Sequence, residues 1–178
     1  MMKKAVPILV LLFLLIGCAT TPAFNEDGSP YWTTHIPKST RTTYYAVASA
    51  KQSTEELSML RAESAAKDMI GRWAETTIDA SVITFIEEAG ETLRTKQILE
   101  VLQNLSVQTV NIALRGVEVV ERWVRDDGTV YVLASYPVKN LKEAYRLQAQ
   151  ELERKVLADS IKAEVLEAYL QNQLEAIQ

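Results

Sequence analysis

The sequence predicts an α+β fold: a small antiparallel sheet of about three strands packed on long helices, with a long C-terminal helix. Three observations carry this. Residues 42–50 open on β-branched and aromatic types, as a strand does. Residues 116–136 hold two alternating apolar runs around Asp126-Asp127-Gly128, a hairpin signal. Elsewhere apolar residues recur every three or four positions, the helical period.

The chain begins with a basic start, Lys3 and Lys4, followed by 12 continuous apolar residues, 5–16. A run that short cannot span a bilayer as a helix, which needs about 20 residues, but it suits the apolar core of an export signal. It ends in Leu15-Ile16-Gly17-Cys18, which reads as a lipobox around the only cysteine. The Cys18 thiol is the nucleophile that takes a diacylglyceryl group, and cleavage then frees its amine for acylation. Residues 1–17 are therefore expected to be a lipoprotein signal peptide, and Cys18 the lipidation site. Two or three acyl chains anchor stably, since each buried methylene contributes about 0.8 kcal/mol. Ala19 and Thr20 follow with no aspartate. That favours an outer-membrane address in a cell with two membranes, with the periplasmic or surface face left open.

Removing residues 1–17 leaves 161, enough for one cored domain, and takes the net charge from −4 to −6. A mildly acidic chain without a basic cluster does not suit nucleic acid. With one histidine and no thiol left after lipidation, neither a disulfide nor a zinc site is expected.

Residues 18–29, rich in Thr, Pro, Asn, Asp and Gly, read as a flexible lipidated tether. The Pro30-Tyr31-Trp32 lead-in either packs Trp32 on the domain or presents it to a partner. After the 42–50 strand, Ser53 or Thr54 caps a helix whose first turn holds Glu55 and Glu56. Ala62, Ala66, Met69 and Trp73 form its stripe. The next apolar set, Ile78, Val82, Phe85 and Ala89, starts five residues on, which predicts a bend or a short break at Thr76-Thr77, and Gly90 ends the segment. A further helix is expected over 91–105 with Ile98, Leu102 and Leu105 on one face; residues 105–114 fit strand or helix. In the return strand Val130, Val132 and Ala134 share one face, and Tyr131, Leu133 and Ser135 the other.

Residues 139–178 contain no Gly or Pro and are expected to form one helix. Ala149, Val156, Ala163, Leu170 and Ile177 repeat every seven residues, with Tyr145, Leu152 and Leu166 in complementary positions and Asp159 and Gln173 interrupting. The helix either packs on its own domain or pairs with a partner helix. The candidate interaction residues are Trp32, Val156, Ala163, Leu170 and Ile177.

No nucleophile elbow, phosphate loop, dinucleotide glycine motif or histidine–glutamate zinc helix occurs in the sequence. Adjacent Glu87 and Glu88 diverge on a helix, Asp126 and Asp127 suit a turn, and His35 lies among polar residues. A non-enzymatic protein is expected, without catalytic residues, cofactor, metal or evident small-molecule substrate.

The order of lipobox, Pro-Tyr-Trp lead-in, Tyr-Tyr-Ala-Val-Ala strand, alanine-spaced helix, Leu-Arg-Gly-Val-Glu-Val-Val strand and Asp-Gly-Thr-Val-Tyr-Val-Leu-Ala strand resembles the bacterial Lpp-twenty envelope lipoproteins. That family includes flagellar outer-membrane lipoproteins of the FlgP type. The resemblance rests on Trp32, residues 45–50, Ala62, Ala65, Ala66, residues 114–120 and 127–134, and covers about 30–138. Ala48-Ser49-Ala50 departs from it, since the family often has glycine there. It implies a sheet wrapped on a long helix and a scaffold or interaction role, often oligomeric. A periplasmic regulator of a wall enzyme and a surface adhesin or antigen are the competing roles.

Overall fold

The computed structural model describes residues 23–88, 96–155 and 162–176. Residues up to Tyr31 and residues from Trp32 onward form two compact units.

In the first unit, part of the expected tether is a hydrogen-bonded turn. The Asn25 N–H donates to Ser29 O at 2.8 Å and the Gly28 N–H to Asn25 O at 3.0 Å. The Asp27 carboxylate accepts from the Ser29 N–H at 3.0 Å and its hydroxyl at 2.6 Å. Gly28 takes φ +77°, which a side chain would resist. Within residues 25–29 the polar side chains and glycine serve turn chemistry.

In the second unit, strand β1 (Thr43–Ala50) pairs antiparallel with β3 (Val130–Pro137), which pairs antiparallel with β2 (Glu118–Val124); the sheet order is β1-β3-β2. The β2–β3 hairpin closes through Arg125 N–H to Thr129 O at 2.9 Å and Gly128 N–H to Arg125 O at 2.9 Å, with Gly128 at φ +84°. That is a three-residue loop with its glycine in the left-handed position. The Thr129 N–H donates to the Asp127 carboxylate and, with Lys51 nearby, holds its pKa below the usual range. A bulge between Val119 and Glu121 interrupts the β2 ladder.

Helix α1 (Glu55–Glu88) starts at Thr54, whose Oγ1 accepts the Leu57 N–H at 3.3 Å. It runs unbroken for 34 residues, so no break occurs at Thr76-Thr77. The reason is phase. The buried row is Ala62, Ala66, Ile70, Ala74, Ile78, Val82 and Phe85, which keeps helical spacing throughout. Met69 and Trp73 only flank it, and taking them as the stripe created a false slip. Thr77 stays in the helix with its hydroxyl bonded to Trp73 O at 2.8 Å.

Helix α2 (Lys96–Ala113) resolves the ambiguous 105–114 stretch as helix, burying Leu102, Leu105, Ser106, Thr109 and Ala113. Gly90 lies outside the described residues, as does the Ile98 side chain.

The 139–178 segment is corrected from one helix to two, α3 (Val138–Lys155) and α4 (Ala163–Ala176). They pack against each other: Lys142 Nζ donates to Gln171 Oε1 at 2.6 Å, although 29 residues of continuous helix would span about 44 Å. The four helices touch in the cyclic order α1–α2–α3–α4, as in a four-helix bundle. One core joins both layers: Ala46, Val130, Val132 and Ala134 of the sheet, the α1 row, and Leu141, Tyr145, Ala149, Leu166, Leu170 and Leu174. The core therefore continues past residue 138. Helix α1 is shared, its N-terminal part lying on β1 and β3 and its remainder among the helices. No helix among the described residues is long and apolar enough to cross a membrane.

Candidate functional site

Even-numbered residues of β1 face α1, because side chains alternate along a strand. Tyr44 thereby meets Trp73 on α1; the rings stack with centroids 4.3 Å apart and planes 11° apart. Tyr136 on β3 meets Trp73 edge-on at 6.1 Å. Tyr136 is buried, its hydroxyl has no partner among the described residues, and burial pushes its phenol pKa up. Beside the stack opens a groove of about 500 Å³ lined by Tyr44, Met69, Arg72, Trp73, Thr76, Thr77 and Gln173, the last from α4. Arg72 is the one charged residue of this lining and forms no ion pair among the described residues. Thr76 and Gln173 likewise have no hydrogen-bonded partner for their side chains there.

A second surface lies at the opposite sheet edge. Every β2 side chain is exposed or half-buried. Val120, at the bulge, is 54% exposed, and Val124 is exposed too. Trp123 packs on Tyr131 at 5.5 Å, and the Arg125 guanidinium lies over both rings at 5.8 and 5.1 Å. Glu118, Glu121 and Arg122 put charges along this edge, and Arg122 pairs with Glu63 of α1 at 2.8 Å.

The residues singled out in the sequence are not brought together. Cys18, Val156 and Ile177 lie outside the described residues. Ala163 and Leu170 are buried in the chain's own core, so in this fold they offer nothing to a partner helix. Of the seven-residue repeat, Ala149, Ala163 and Leu170 are buried where α3 and α4 join the core. Trp32 is buried, 9% exposed, with no hydrogen-bond partner for its indole N–H among the described residues. His35 and Glu87 are exposed. No group of three or more His, Cys, Asp or Glu converges to hold a metal among the described residues. The groove was missed because Trp73 reads as core and Tyr44 as strand. The available signal was Gln173, a polar break in an apolar seam.

A family model described as LPP20 lipoprotein matches residues 30–136, more than half of the chain. Comparison with curated protein sequences gives no match. The chain belongs to the LPP20 lipoprotein family, and so to the envelope-associated lipoproteins.

Proposed function

We propose that this LPP20-family lipoprotein is a non-enzymatic interaction module, held at the outer membrane by acylated Cys18, and that it engages another envelope protein through β2. The observation that carries this is the exposed apolar edge of β2: Val120 and Val124 with half-buried Trp123 on a strand whose outer edge has no neighbouring strand among the described residues. An open strand edge invites pairing with another chain. The bulge and the charges of Glu118, Glu121 and Arg122 discourage indiscriminate pairing, and so make a partner with complementary charge the preferred one.

A photo-crosslinker at Val120, in the lipidated full chain in its own envelope, should capture a discrete protein. The same probe at exposed Glu56 on α1 should not. Equal capture at both positions overturns the reading; capture of a second copy makes the module a self-assembling scaffold. The anchor is tested separately. Radiolabelled palmitate should enter the wild type and not Cys18→Ser, and equal labelling would remove Cys18 as the lipid site.

A further inference from the structure

We propose that the Tyr44–Trp73 groove binds an acidic sugar, a hydroxylated ring bearing one carboxylate. Its volume, about 500 Å³, lies within the about 300–1,000 Å³ typical of small-ligand sites, and its make-up is the usual one: an apolar wall with a few convergent polar groups. Tyr44 and Trp73, with Met69, give the groove an apolar wall against which the C–H groups of a sugar ring pack. Thr76 and Gln173 supply a hydroxyl and an amide for sugar hydroxyls. Arg72 supplies the planar fork that matches one carboxylate.

Charge selects the ligand's sign. The chain carries a net charge of −4, yet the groove's charged lining residue is a cation. Asp68 and Glu75, four residues before Arg72 and three after it, make no ion pair with it, and its side chain lines the groove. One guanidinium matches one negative charge rather than the several of a nucleotide. A peptide suits the groove less well. It needs backbone partners along its length; α1 and α4 spend theirs inside helices, and beside Tyr44 on the outer edge of β1 the Thr43 carbonyl already accepts from the Thr40 N–H and the Tyr45 N–H donates to the Ser39 hydroxyl. The inference uses a different surface from the β2 reading and stands independently of it.

The test is calorimetric titration of the lipidated full chain in detergent. The probes are N-acetylmuramic acid and glucuronic acid, with N-acetylglucosamine, adenosine monophosphate and a blocked dipeptide for comparison. The acids should bind saturably and about tenfold or more tighter than the neutral sugar. Arg72→Gln, an exposed substitution, should erase that preference, bringing the acids down to the affinity of the neutral sugar, with the melting temperature unchanged. Gln173→Ala should weaken both sugars. Absence of saturable acid binding, equal affinity for acidic and neutral sugars, tighter nucleotide or dipeptide binding, or a preference that survives Arg72→Gln would each overturn the proposal.

Discussion

The two faces of the sheet are built to opposite rules. Towards α1 it presents Ala46, Val130, Val132 and Ala134, all nearly inaccessible to solvent, with the paired Tyr44 and Tyr136 set against Trp73 at one end. Away from α1 lie Tyr45, Val47, Tyr131 and Trp123, larger on the whole yet only half-buried. The difference teaches that helix approach sets the inner face: Ala62 and Ala66 of α1 are fully buried, and two rows of small side chains let helix and sheet come close. Close packing supplies stability on one face, and the other is left with rings and charges suited to contact.

The largest expected effect breaks the inner face. Val132→Asp places an unpaired charge in the core and should cost at least about 4 kcal/mol, a large share of the about 5–15 kcal/mol that holds an ordinary domain folded. Ser49→Asp, on the exposed face of β1, should change stability by no more than about 0.5 kcal/mol. Chemical denaturation of both variants checks this, and similar losses would mean that both faces are packed alike. Next comes the close approach itself. Ala66→Leu should cost about 1–3 kcal/mol by overpacking, whereas Ala65→Leu, on the half-buried flank, should cost little. If both are tolerated, helix and sheet are not in the tight contact described. Trp123→Ala should lose only about 1 kcal/mol, the ring-pair contribution with Tyr131, while abolishing capture at Val120.

The sheet was legible because strand alternation and the Asp-Asp-Gly turn are local signals. The face assignments of Val130, Val132 and Ala134 follow from period two alone. In α1 the helix was legible but its phase was not. Bulky Met69 and Trp73 drew the stripe away from Ile70 and Ala74, although a helix lying on a sheet favours the smaller row. The C-terminal hairpin was hidden for a different reason. A seven-residue repeat defines an apolar face and not what covers it, and neither Gly nor Pro marks the reversal between Lys155 and Ala163. A covering helix from the same chain satisfies Ala149, Ala163 and Leu170 as well as one from another. The groove takes residues from β1, α1 and α4, so it exists only once the hairpin has folded back.

The division between packed interior and charged exterior can be sharpened most finely at that reversal. The Ala163 N–H, at the start of α4, lacks a helical partner, and the Glu153 carboxylate of α3 accepts it at 2.9 Å. Lys162 pairs with the same carboxylate at 3.3 Å. The bond from the Ala163 N–H, followed by that from Lys162, holds the Glu153 pKa below its ordinary 4.5. Because the folded pKa is the lower one, the folded state favours the ionised form. Its contribution is complete above about pH 4.5 and is lost as pH falls through the depressed folded value. Glu153→Ala should therefore melt slightly below the wild type at pH 7, and the gap should close in acid, once the wild-type carboxylate has taken up its proton. Melts of both proteins at neutral and acid pH decide the matter. A gap that persists undiminished in acid would mean that packing of α4 against α1 and α3, rather than this charge, fixes where the chain turns back.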